Sequence, residues 1–192
     1  MRVIHLLFSL TVLLASGQAW SAEAQRFLKG KHAELAALVQ KDEKAKLDKA
    51  FDQVLDYEAL AKDSLAGSWD KKTPAEREEF QKLLTELVRG AYKKNLKRTL
   101  GYAIEYRGET KIERGVLVKT VAKNAKNARE EPISIDYAMH LVGSRWKVRD
   151  IVTDGSSLVS NYKNQFRRIE KQHGFAELLR RMRSKVEQGE AD

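Results

Sequence analysis

Ile133-Ser134-Ile135-Asp136-Tyr137-Ala138-Met139-His140-Leu141-Val142-Gly143-Ser144-Arg145-Trp146-Lys147-Val148-Arg149-Asp150-Ile151-Val152-Thr153 is the stretch on which the fold turns. Ile133, Ile135, Tyr137, Met139 and Leu141 alternate with Ser134, Asp136, Ala138 and His140, the period of a strand that buries one face. Gly143-Ser144 suits a two-residue hairpin turn, and Arg145 to Thr153 is the partner strand. In a regular strand Asp150 shares the buried face with Trp146, Val148 and Val152. A buried acid must find donors or shift its pKa. No second acid or histidine pairs with it obviously, so the residues favour a structural role. Its donors would be a tyrosine, the Trp146 indole or a nearby backbone N–H.

The same period extends towards the N-terminus. Tyr102, Ile104 and Tyr106 alternate with Ala103, Glu105 and Arg107, and Val116 to Lys123 is rich in β-branched residues. The polar stretch Asn124 to Glu131 reads as a loop. Before the strands the period is helical. Thr73-Pro74-Ala75-Glu76 is a capping box with proline at the first helical position. From it Phe80, Leu83, Leu84, Leu87, Val88, Ala91, Tyr92 and Leu96 repeat every three or four residues up to Gly101. Earlier stripes run from Ala24 to Val39, then through Leu47, Phe51 and Leu55 behind an Asp42 cap, then from Tyr57 to Leu65 and on to Trp69. After the strands, Ser156 or Ser157 caps a helix carrying Tyr162, Phe166 and Ile169, which stops near Gly174. A last helix carries Phe175, Leu178, Leu179 and Met182. About six helices around an antiparallel meander define an α+β domain with its sheet covered on one face.

The first residues read as a processing signal. Arg2 precedes an apolar run from Val3 to Ala15, and the small residues Ala15, Ser16, Gly17, Ala19, Ser21 and Ala22 follow. The run is shorter than the roughly 18 to 20 residues that span a bilayer. Residues 1–22 are therefore expected to be a cleaved secretory signal, and residues 23–192 a single domain in an extracytoplasmic compartment. The chain has no cysteine, which excludes thiol nucleophiles and zinc–thiolate sites. A net charge of +9 outside the cytoplasm points to anionic lipid head groups or acidic proteins, not to nucleic acid.

Catalytic chemistry is hard to assemble from these residues. His5, His32, His140 and His173 include no pair at the spacing of a zinc helix, so neither a metal nor a cofactor is expected. Asp154-Gly155-Ser156-Ser157 lacks the G-x-S-x-G pattern, and a serine opening a helix is a cap. Phosphate-cradling glycine motifs are missing. Basic residues cluster at Arg89, Lys93, Lys94, Lys97 and Arg98 and again at Arg180, Arg181, Arg183 and Lys185. Cations at a helix C-terminus complement its dipole, and Arg89, Lys93 and Lys97 are also candidates for docking a partner.

Several stretches together resemble the MlaC family of periplasmic phospholipid-binding proteins. They are Phe51-Asp52 with Tyr57, Leu60, Leu65 and Trp69, then Thr73-Pro74-Ala75-Glu76-Arg77 leading to Phe80, Leu84, Tyr92 and Leu96. Tyr137, Trp146-Lys147-Val148-Arg149-Asp150, Gly155, Ser157, Leu158, Asn161, Tyr162, Phe166 and Gly174 complete the ordered set. The chain departs from the family pattern at Leu65-Ala66-Gly67, where Leu-Gly is usual, and at Gly155-Ser156-Ser157, where Gly-Val-Ser is usual. The resemblance implies a twisted four-stranded antiparallel sheet wrapped by helices, similar to the nuclear transport factor 2 class, with an internal apolar pocket. It further implies a monomeric carrier, not an enzyme, that shuttles phospholipid between an outer-membrane lipoprotein complex and an inner-membrane ABC transporter complex. The sheet-facing candidates for the pocket are Val116, Val118, Ile135, Tyr137, Met139, Val148 and Val152. Facing them are Leu60, Phe80, Leu84, Leu87, Val88, Tyr92, Leu158, Val159 and Tyr162. The competing readings are a small hydrolase or isomerase using Asp150 on a similar cone-shaped fold, and a basic protein-interaction module.

Overall fold

A computed structural model describes residues 16–189, so the expected signal segment lies outside the described residues as far as residue 15. Local sequence sets where the elements begin. In α4 (Pro74–Arg98) the Thr73 hydroxyl accepts the Glu76 N–H at 3.2 Å and the Glu76 carboxylate accepts the Thr73 N–H at 2.8 Å, the capping box read from sequence. Before it come α1 (Ser16–Gln40), α2 (Lys44–Val54), α3 (Tyr57–Leu65) and a 3₁₀ turn over Ala66–Lys71. The expected Asp42 cap of α2 does not form. Asp42 takes a left-handed conformation, φ 52°, to turn the chain, and Glu43 holds the N-cap position without a side-chain bond. Asp56 caps α3 through the Ala59 N–H at 2.9 Å.

The strands β1 (Tyr102–Ile112), β2 (Gly115–Asn124), β3 (Ile133–Val142), β4 (Arg145–Thr153) and β5 (Ser156–Ser157) form one antiparallel sheet in sequence order. Among the described residues there are thus five strands where four were expected. The fifth is two residues long, too short to show a period. It pairs back on β4 because Asp154 and Gly155 both take positive φ, 47° and 79°, as a two-residue hairpin turn requires. Ser157 then caps α5 (Leu158–His173), and α6 (Phe175–Glu187) follows.

Two bulges decide which side chains face inward. In β1 the pairs Tyr106–Thr120 and Glu109–Val118 leave Arg107 and Gly108 opposite Lys119 alone. In β4 the pairs Ala138–Asp150 and Met139–Val148 leave Arg149 as the extra residue. A one-residue slip exchanges the two faces beyond it. Trp146 and Val148 therefore share the inner face with Tyr137 and Met139, but past the bulge that face is continued by Ile151 and Thr153. Asp150 and Val152 lie on the opposite face, which corrects both sequence expectations.

The helices cover the inner face. Phe80 of α4 packs edge-on against Phe166 of α5 at 5.4 Å between ring centroids, and close to Phe175 of α6. Phe80, Leu60, Leu84, Val118, Met139 and Val148 are all sealed from solvent. They make a solid core across α3, α4, β2, β3 and β4.

Candidate functional site

The packing is not solid everywhere. Towards one end of the sheet the helices stand off from the strands and leave a cavity of about 330 Å³. Its floor is Ile133, Ile135 and Tyr137 of β3 with Ile151 and Thr153 of β4. Its roof is Val88, Ala91, Tyr92, Asn95, Leu96 and Thr99, the inward stripe of the second half of α4. His32 and Leu35 of α1, Phe51 of α2, Ser156, and Leu158 and Asn161 of α5 close the sides. The members buried deepest, Leu35, Phe51, Val88, Ala91 and Tyr137, are apolar or aromatic, whereas Asn95, Thr153, Ser156 and Asn161 are exposed. The cavity therefore has an apolar interior and a polar, uncharged mouth.

Two polar groups stand in its walls. His32 Nδ1 lies 2.7 Å from the Tyr106 hydroxyl, and the imidazole leans on the Tyr137 ring at 5.1 Å between centroids. Burial lowers the His32 pKa to about 4, so the ring is neutral at physiological pH. A neutral imidazole keeps one donor and one acceptor nitrogen. Tyr92 stands edge-on to Phe51 at 5.6 Å, and its hydroxyl is buried without a hydrogen-bond partner among the described residues. Burial keeps the Tyr92 and Tyr137 phenols un-ionised.

The structure distributes the residues expected to line a pocket over several places. Val88, Tyr92, Ile135, Tyr137 and Leu158 come together around the cavity. Leu60, Phe80, Leu84, Val118, Met139 and Val148 belong to the sealed core, with Val116 beside them. Leu87 and Tyr162 line a surface cleft between α5 and α6, and Tyr162 stacks on Phe166 at 5.1 Å. Val159 packs against the core, and Val152 faces away from the cavity. Of the remaining lining, Leu35, Phe51, Ala91, Leu96 and Ile133 sit on apolar stripes visible in the sequence. Ile151 could not be assigned there because the bulge reverses its face. His32 gives no sequence signal apart from one polar residue on an α1 stripe.

The candidate acid and two of the three candidate docking cations are engaged elsewhere. Asp150 does not line the cavity. Its Oδ1 accepts the Ile151 and Val159 N–H groups at 2.8 and 3.0 Å, and its Oδ2 accepts the Ser157 hydroxyl at 2.6 Å. The carboxylate thereby ties β4 to the N-terminus of α5, where helix polarity favours an anion. Arg89 bonds Asp52 at 2.7 Å and Glu86 at 2.9 Å, and Lys93 pairs with Asp48 at 2.5 Å. Lys97 is exposed and has no ion pair among the described residues. Among the described residues no group of three or more His, Asp or Glu side chains gathers to hold a metal, and no helix is long and apolar enough to cross a membrane.

Fold and cavity define a helix-wrapped antiparallel sheet that encloses an apolar chamber with a polar mouth. The family model described as MlaC protein matches residues 19–184, and the chain belongs to the MlaC family. Among solved structures it is similar to a phospholipid-binding protein from Ralstonia solanacearum, determined in complex with a phospholipid. The two are 23% identical, with a TM-score of 0.73 over 86% of this chain and 98% of that one, so they share the fold. No curated protein matches the chain.

Proposed function

We propose that this chain is a periplasmic carrier that binds the acyl chains of glycerophospholipid in the cavity and leaves the head group at the polar mouth. It would be exported by a cleaved signal at residues 1–22, act as a monomer and bind lipid instead of catalysing a reaction. The cavity is the observation that carries this reading: an apolar chamber in a MlaC-family fold whose solved neighbour holds a phospholipid. Each methylene left in water costs about 0.8 kcal/mol, so two ordinary acyl chains carried bare cost on the order of 20 kcal/mol. A volume of about 330 Å³ stands at the lower end of small-ligand sites, roughly 300–1,000 Å³. Both chains together therefore require α1 and α4 to move off the sheet. The interior makes no charged contact with the tails, so acyl selectivity is loose. In the cell the carrier passes lipid between an outer-membrane lipoprotein complex and an inner-membrane ABC transporter complex.

Photo-crosslinking tests the location. A phospholipid with a diazirine at the acyl terminus, loaded and irradiated, labels residues of the chamber such as Val88, Tyr92 and Tyr137. Labelling confined to the α5–α6 cleft around Leu87, Ile169 and Met182 would place the lipid elsewhere and overturn the assignment.

A further inference from the structure

At the mouth end cations outnumber acids. From Leu87 to Thr99 the chain has no acidic residue, and from Gly155 to Ile169 it again has none. These two stretches are the second half of α4 and the first turns of α5, which border the mouth. Arg89 and Lys93 are neutralised by α2, but Lys94, Lys97, Lys163 and Arg168 are exposed and have no ion pair among the described residues.

Their placement is at the same end of the molecule as the mouth. Lys94 and Lys97 stand in the last turns of α4, whose other face roofs the cavity, and Lys163 stands in the second turn of α5, on the side away from Leu158 and Asn161. Arg168 lines a shallow cleft of about 490 Å³ that shares Leu158 and Asn161 with the cavity and runs along α5. Lys126 and Arg129, in the loop that leads into Ile133, add exposed charge at the same end. The acids there, Glu130, Glu131 and Asp154, offset the loop cations: Glu130 accepts from the neutral Tyr102 and Asn124, Asp154 accepts the Ser134 N–H at 2.9 Å, and the positive excess rests on α4 and α5.

The chemistry of this face selects the kind of partner. Protein interfaces centre on buried aromatic or aliphatic anchors. The exposed large apolar residues, Leu141 and Val142, lie at the β3–β4 turn, the opposite end of the sheet from the mouth. Around the mouth there is positive charge over neutral polar groups, which suits a laterally uniform anionic surface. We infer that the mouth end docks on an anionic phospholipid bilayer through Lys94, Lys97, Lys163 and Arg168, by charge and without insertion. The inference takes its purpose from the carrier reading, since it would hold the cavity mouth at the surface of the membranes whose complexes give and take the lipid.

The test is co-sedimentation with vesicles of phosphatidylglycerol and phosphatidylcholine, against vesicles of phosphatidylcholine alone. Each cation near an anionic surface strengthens binding about fivefold, so K94Q/K97Q/K163Q should weaken it on the order of 100-fold. K62Q/K71Q/K82Q removes the same charge outside the proposed docking set and should retain most of the binding. High salt should release the wild-type protein. Equal weakening in the two triple variants, or no wild-type binding to anionic vesicles at low salt, would overturn the inference and leave an acidic protein as the partner of this face. Mass spectrometry of an organic extract of the same preparations reports the cargo separately. Lipid in the extract with no vesicle binding sinks docking alone, whereas lipid-free protein that still binds vesicles sinks the carrier reading alone.

Discussion

His32 is a buried base in the wall of an apolar chamber, and its replacement by glutamine should change how stability depends on pH. Burial lowers its pKa from 6.5 to about 4, with no charged neighbour contributing to the shift. The unfolded chain therefore binds the proton more readily than the folded one. Stability is fully present above the unfolded value, is lost as pH falls from 6.5 towards 4, and levels off below. Two and a half pK units correspond to ~3 kcal/mol in total, of which ~2 kcal/mol is already lost at pH 5. H32Q cannot take up that proton, and its amide can still meet the Tyr106 hydroxyl. Urea unfolding at pH 7.5 and pH 5.0 should show wild-type stability falling by ~2 kcal/mol more than that of H32Q. Subtracting the variant removes the common contribution of the carboxylates. Parallel loss in the two proteins would refute the argument, because His32 would then titrate alike in both states.

Backbone and capping give three further expectations. Gly115 has φ +117°, and a Cβ there would sit 2.0 Å from the Met139 carbonyl oxygen, so G115A should destabilise by more than ~1 kcal/mol in chemical denaturation. Ala66 holds φ 48° and ψ −127°, a glycine conformation, at a position where the family usually has Leu-Gly, so A66G should stabilise by roughly 1 kcal/mol and raise the melting temperature. D150N keeps acceptor capacity at Oδ1, whereas D150A strands the Val159 N–H and Ser157 hydroxyl and should cost ~1–3 kcal/mol more than D150N, read from the same unfolding curves.

The sequence made some of this legible and concealed the rest for physical reasons. The alternation from Ile133 to Leu141 and the capping box at Thr73 were decisive because each is a local signal that tertiary packing left in place. Asp42 misled because a residue that can cap can equally turn the chain left-handed. The face of Asp150, Val152 and Ile151 was hidden by the Arg149 bulge, which depends on how β3 and β4 pair and leaves no mark in the period of either strand. The same limit holds for the cavity. Val88 and Leu84 occupy one apolar stripe of α4, yet one lines the chamber and the other is sealed in the core. Only the distance between α4 and the sheet separates them, and no residue encodes it alone.

The central claim is that the cavity under α4 carries acyl chains. Its most direct test is mass spectrometry of organic extracts from the wild-type protein and from A91W, both purified without detergent from membrane-containing lysate. Ala91 lines the chamber roof and is almost buried, so an indole there fills space that the tails would use. The account predicts glycerophospholipid in stoichiometric amount with the wild-type chain and a large loss in folded A91W. A lipid-free wild-type extract, or equal lipid in both proteins, would contradict it.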